Sequence, residues 1–266
     1  MAKPPTKSNA IQTTAKGSVA HRGEDVPDWV KEGTAGFEGV TAQDLILPRL
    51  QLAQALSPAV RRNDPAYIKG LEEGSFFSNI SRENFGPGPF TVTPLLCAKM
   101  RILWNDTKKI GSGIKCMGTP CPPSVKNREG IACRLNDGNA CLHPDLDDDE
   151  PCFLIYNFPV ILHARAELGP MVLSFRSTGV KVAKTWLSMM RMRGRFPMYA
   201  MAFNVEAVDA SNTKGQFKQV KIDNAGWTPK ELVGSLEKLY TSLADRVILT
   251  DQDDEPAGRQ PGDEEM

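Results

Sequence analysis

CFLIYNFPVILHARAELGPMVLSFRSTGVKVAKTWLSMMRM, residues 152–192, holds the pattern on which the fold turns. Its first part, Cys152 to Leu168, is dense in Phe, Ile, Tyr, Val and Leu, the composition of a long strand, with a bend expected near Pro159. Gly169-Pro170 supplies a hairpin turn into a second strand, Met171 to Phe175. Ser177 or Thr178 stands where a helix cap is needed, and VKVAKTWLSMMRM repeats its apolar residues at helical spacing to about Met192.

Towards the C-terminus, PMYAMAFNVEAV (Pro197–Val208) reads as a strand, and a turn containing Asn212 and Gly215 leads to FKQVKI (Phe217–Ile222). Thr228-Pro229-Lys230-Glu231 then places a capping residue, a proline at the first helical position and an acidic residue behind it, opening a helix that ends near Val247. Towards the N-terminus, Phe90 to Trp104 is β-rich, with Pro94 marking an edge or a bulge. Ser75–Ile80 is a short strand stopped by the GPGP loop at 86–89, and Ile46–Gln54 is another. The order strand, insertion, strand, strand, helix, strand, strand is that of an OB barrel, so the expected fold is mainly β (α+β), an OB-like barrel with an inserted loop region and two helices. The expected divisions are a disordered segment over 1–40, one folded domain over 41–250 with an insertion at about 105–152, and a disordered acidic tail over 251–266.

The insertion has no apolar period and cannot build its own core. It contains Cys116, Cys121, Cys133 and Cys141, with His143 just beyond and Cys152 at its end. Zinc needs four soft or borderline ligands in a tetrahedron, and four of these five thiols are expected to hold a structural zinc, with His143 in reserve. The spacing leaves open which thiol drops out. The alternative is a set of free thiols, a redox liability if exposed. Cys97, inside a strand, is expected to be a core thiol. A catalytic zinc is not expected: no His/Glu combination of a hydrolytic site stands nearby, and the HxE…PCxxC signature of zinc deaminases is missing.

The formal net charge is zero, but the charge is unevenly spread. From Arg176 to Lys221 nine basic residues face only Glu206 and Asp209, whereas residues 251–266 hold seven acidic residues and one arginine. Aromatic residues interleave with the basic ones, the combination that suits phosphates together with stacked bases. The candidate DNA-binding residues are Trp104, Tyr156, Arg176, Lys181, Lys184, Arg191, Arg193, Arg195, Phe196 and Lys218. Trp186, Phe203 and Phe175 are expected in the core instead. The loop RMRGRF (Arg191–Phe196) is the strongest single candidate, although arginines at a helix end also suit the helix dipole.

No apolar run approaches the roughly 18 residues of a membrane span, and MAKPPTKSNAIQTTAKGS at the start has no apolar core, so a cytoplasmic protein without a membrane partner is expected. The chain has no GxxxxGK[ST] loop, no recognisable two-metal carboxylate arrangement, and only His21, His143 and His163 as histidines, so it is not expected to be an enzyme. A nuclease or recombinase subunit is the rival on that side. A protein-interaction or inhibitor module, using the run Asp147–Glu150 to mimic DNA, is the rival on the other. A homo-oligomer is compatible with the sequence.

LPRLQLAQALSP (47–58), PCFLIYNFPVIL (151–162), VLSFRSTGVKVAKTW (172–186), RMRGRFPMYA (191–200) and VKIDNAGW (220–227) together resemble a family of phage-encoded single-stranded DNA-binding proteins. The resemblance covers residues of about 40 to 230. It implies an OB-type fold with a zinc element, sequence-tolerant binding of single strands in phage replication and recombination, and residence in the bacterial host cytoplasm. The acidic tail resembles tails that recruit replication or recombination enzymes. This chain ends Glu265-Met266 rather than in an aromatic residue, which counts against recruitment through a terminal aromatic plug.

Overall fold

The computed structural model describes residues 46–104, 114–118, 153–212 and 215–244. The expected disordered ends and most of the Cys-rich insertion lie outside these residues. The described chain is mainly β, as expected, with two helices. Its strands are β1 (Leu50–Leu52), β2 (Phe76–Ser78), β3 (Asn84–Gly86), β4 (Phe90–Pro94), β5 (Ala98–Trp104) and β6 (Ile114–Gly118). They continue with β7 (Phe153–Leu162), β8 (Met171–Phe175), β9 (Met201–Asn212) and β10 (Gly215–Trp227). The helices are α1 (Gly179–Met192) and α2 (Lys230–Ala244).

Strand β7 organises the larger sheet. Its Tyr156, Phe158, Val160 and Leu162 point into the main core, while Ile155 and Ile161 join smaller clusters, Ile161 beside Leu236 and Leu243 of α2. Burial on both faces explains its nearly continuous apolar run, interrupted by the buried Asn157. β4 and β5 follow each other along one edge of β7, and β8 takes the other edge. Val92–Pro94 pairs with Val160–Leu162, and Ala98–Ile102 with Phe153–Asn157, so that Leu95–Cys97 stand opposite only Phe158 and Pro159. This bulge lets a proline sit in a central strand. The Pro159 carbonyl accepts from the Leu95 N–H at 2.8 Å, and its missing N–H falls where the ladder is already broken. The irregularity expected at Pro94 therefore lies just after it. Cys97 stands in the bulge rather than in a strand, half-buried against the core, and burial pushes its thiol up to about 11.

The β7 strand ends at Leu162, six residues short of the expected Leu168, and His163–Leu168 forms a 3-10 turn. Pro197–Ala200 likewise precedes β9 instead of opening it. β9 has the expected 12 residues but lies four residues further along, and its hairpin partner β10, at 13 residues, is longer than the expected Phe217–Ile222, with a register shift between Asn224 and Gly226. Neither expected cap engages its helix. No side-chain hydrogen bond caps α1 at Thr178, and the Thr228 hydroxyl, ahead of α2, is buried against that of Thr93 at 2.9 Å. Two strands were not expected at all: β3, and β6 inside the Cys-rich region.

The strand pairings join β8, β7, β4, β9 and β10 in that order, and the end strands β8 and β10 do not pair. Barrel closure, as the OB reading expects, is not found among the described residues. The chain around β1 stands in the gap instead. Arg49 forms a parallel bridge to Val172 of β8, and the Gln54 side chain exchanges two 2.9 Å hydrogen bonds with the Lys218 backbone of β10. β1 also starts a separate three-stranded sheet with β2 and β3. α1 packs against β7, β8 and β10 and buries Ala183, Trp186 and Met190. The Trp186 ring meets Phe158, Phe203 and Phe175 at centroid distances of 4.5, 5.5 and 6.1 Å, so all three expected core aromatics are core.

Candidate nucleic-acid interface

The segment RMRGRF occupies the end of α1 and the loop that follows, and each residue in it has a distinct position. Arg191 and Arg195 are exposed, and among the described residues no carboxylate pairs with either. Arg193 is half-buried: its Nη1 donates to the Gly226 carbonyl at 2.6 Å, and its guanidinium lies over the Trp227 ring, 4.9 Å from the centroid. Gly194 has φ +123°, and a Cβ there would fall 2.9 Å from the Phe196 ring, so glycine lets that ring fold back towards the helix end. Phe196 meets Trp227 edge to face at 5.2 Å. Both rings remain about half exposed, Phe196 at 53% and Trp227 at 55%, and Met192 beside them is 87% exposed.

Apolar surface of this kind is normally buried. Here it is presented by a glycine turn and steadied by a cation–π contact. The result is a pair of half-exposed rings with one guanidinium held against the indole and two exposed arginines on the same segment. Flat π-systems carrying negative charge match it in shape and sign. Trp227 was not among the residues singled out from sequence. It joins the arginine loop only because β10 runs five residues beyond its expected end at Ile222.

The other candidates are dispersed. Arg176 is exposed just after β8. Lys181 and Lys184 are exposed on one face of α1 and line a groove beside the β9–β10 hairpin. Lys218 is tied up within that hairpin: its ammonium donates to Asp209, its register partner, at 2.6 Å, and this hydrogen bond holds its pKa above the usual lysine value. Lys221 pairs in the same way with Glu206 and also with Asp223, both at 2.7 Å. The two carboxylates of the basic segment are thus both engaged by hairpin lysines. Tyr156 is 5% exposed in the main core, with Lys99 Nζ over its ring at 5.7 Å. Trp104 ends β5, in register with Ile114 of β6.

Of the candidate metal ligands, Cys116 lies on β6 opposite Leu103 of β5. Cys121, Cys133, Cys141 and Cys152, with the reserve His143, lie outside the described residues. Among the described residues no group of three or more His, Cys, Asp and Glu side chains is placed to hold a metal. No described helix is long and apolar enough to cross a membrane.

The sequence model of one phage protein family, described as Pam3 phage gp34-like protein, matches residues 15–248. The match spans the described fold and the Cys-rich region, and the chain belongs to this family. No curated protein and no solved structure matches the chain.

Proposed function

We propose that this phage protein binds single-stranded DNA without strong sequence preference, as a non-catalytic coat for strands exposed in replication and recombination. The observation that carries the reading is the half-exposed Phe196–Trp227 pair, with Arg193 over the indole and Arg191 and Arg195 beside it. Stacking on an aromatic ring contributes about 1–3 kcal/mol per base and does not discriminate between bases, and arginines without carboxylate partners neutralise phosphates. Duplex DNA hides its base faces and gives such a pair nothing to stack on. The binding surface omits Tyr156, which the core occupies, and Lys218, whose charge Asp209 meets.

Two further parts belong to the reading. Four of Cys116, Cys121, Cys133, Cys141 and Cys152 hold one structural zinc, their thiolates being the donors that tetrahedral zinc prefers. The acidic tail recruits replication or recombination proteins once DNA has displaced it. Titration of the full chain with labelled oligo-dT, followed by fluorescence anisotropy, tests the central claim. Binding at low salt that weakens steadily as salt rises is expected. Absence of binding even at low salt overturns it and favours the protein-interaction alternative.

A further inference from the structure

The basic residues of α1 do not all gather at its arginine end. Lys181, Lys184, Thr185 and Ser188 form one wall of an open groove of about 760 Å3, and Phe217 and Gln219 of β10 stand in the opposite wall. No carboxylate lines the groove, and among the described residues none pairs with either lysine. The volume lies within the roughly 300–1,000 Å3 of small-ligand sites. The lining combines two ammonium groups, hydroxyl and amide hydrogen-bonding groups, and one half-buried aromatic ring. That set matches a strand of nucleotides, with the two lysines on neighbouring phosphates, Phe217 against a base and the Gln219 amide on a base edge.

The groove and the aromatic pair are joined by the course of α1 along β10. The N-terminal parts of the two elements meet at the groove, and their C-terminal ends meet where Arg193 binds the Gly226 carbonyl. Lys181, Lys184, Ser188 and Arg191 repeat at three- and four-residue steps and so share one helix face. From Lys184 to Arg193 the helix rises about 14 Å. At the roughly 3.4 Å spacing of stacked nucleotides, that distance takes about four of them.

We infer that the groove is a second nucleotide subsite for the same strand, about four nucleotides from the Phe196–Trp227 pair, and that it sets the shortest oligonucleotide bound at full strength. The inference rests on the single-strand reading and adds to it a place and a length.

The test compares the full chain with its Lys181→Gln/Lys184→Gln variant on labelled oligo-dT of about three to about fifteen nucleotides. Both lysines are exposed, so the variant keeps its fold, checked by an unchanged thermal midpoint. A Lys230→Gln/Lys238→Gln variant, altered by the same charge on exposed positions of α2, is the control. In the wild type and the control, affinity is expected to step up about tenfold or more once the oligonucleotide exceeds about five nucleotides. The groove variant is expected to bind the shortest oligonucleotides as the wild type does, to lack the step, and to lose about 1.4 from its salt slope on long ones. A groove variant that keeps the step, or a control that loses it, overturns the subsite and leaves the single-strand reading standing. Wild-type protein that binds no oligonucleotide at any length overturns that reading, and the subsite with it.

Discussion

Trp227 draws its orientation from two neighbours, the Phe196 ring edge-on and the Arg193 guanidinium over its face, and neither contact depends on burial in the core. Replacing it with alanine therefore removes a stacking face with little loss of core. Trp227→Ala should lower oligo-dT affinity by about 1–3 kcal/mol, roughly 5- to 150-fold, while the urea midpoint moves little. Gly194 tests the presentation of the pair. At φ +123°, with Phe196 in the path of a new Cβ, Gly194→Ala should cost about 1–3 kcal/mol of stability and weaken binding as well, measured by urea unfolding and titration. His163 acts on the fold alone. Its Nε2 lies 2.8 Å from the buried Thr93 hydroxyl, which also meets Thr228, and burial holds its pKa below the usual 6.5. The unfolded chain then binds the proton more readily than the folded one. Stability should be full above pH 6.5 and fall as the pH drops from there towards the lower folded-state value. Urea midpoints measured across that window should show the fall, and His163→Gln should flatten it.

At the scale of elements, α1 and the β9–β10 hairpin divide the basic segment into working and occupied charges. Lys218 and Lys221 meet Asp209 and Glu206 across the hairpin, and no carboxylate among the described residues pairs with the cations Lys181, Lys184, Arg191 and Arg195. Arg193 differs from its neighbours because it already holds Gly226 and Trp227. Arg191→Ala/Arg195→Ala should therefore flatten the salt slope by about 1.4, whereas Arg193→Ala should weaken binding with a smaller change in slope. Parallel titrations at several salt concentrations separate the two. Much of this level was legible in the sequence. The apolar run of β7, the turn at Gly169-Pro170 and the helical period of α1 are local patterns, and the structure keeps them. The end of β10 was not legible. Asp223, Asn224 and Gly226 are poor strand formers, and they are tolerated because β9 pairs with them through a register shift. Trp227 consequently read as the edge of a loop, and its meeting with Phe196 is a tertiary fact with no local signal. β3 and β6 were missed for a different reason: strands of three and five residues are too short to show a period, although each pairs with the strand just before it. The capping residues marked both helix starts, although the Thr228 hydroxyl meets Thr93 and no side-chain hydrogen bond is made at Thr178.

At the scale of the molecule, the charge pattern and the thiols each demand an account. β6 carries Cys116 to the edge of the sheet opposite Leu103, and Cys152 directly precedes β7, whose Phe153 is the partner of Ile102. The Cys-rich region is thus anchored at both ends on the same strand, β5, and a metal is the natural means of ordering what lies between. Protein purified without added metal should contain about one zinc per chain by elemental analysis, and removing it should lower the thermal midpoint. A ratio far below one, or a midpoint indifferent to chelator, would count against the staple. The zero net charge has a different origin. The positive charge of the arginine loop and the lysine-bearing helix is offset by seven acidic residues between Asp251 and Met266. On the proposed reading such a tethered polyanion would compete with DNA for the same cations, because a tether makes local concentration high however weak each contact is. Deleting residues 251–266 should therefore raise oligo-dT affinity at low salt. The gain should vanish near 1 M salt, where screening shortens the reach of a charge to about 3 Å. The two competitors differ in what else they offer the site. DNA brings bases to the Phe196–Trp227 pair and the tail brings none, so loss of that pair should weaken DNA far more than tail. In a Phe196→Ala/Trp227→Ala background, the fold gain on deleting the tail should accordingly equal that of the wild type, because it depends only on how tightly the tail holds the cations. No gain in either background would mean that tail and DNA do not share the arginine surface, and a smaller gain in the variant would mean that the tail too rests on the aromatic pair.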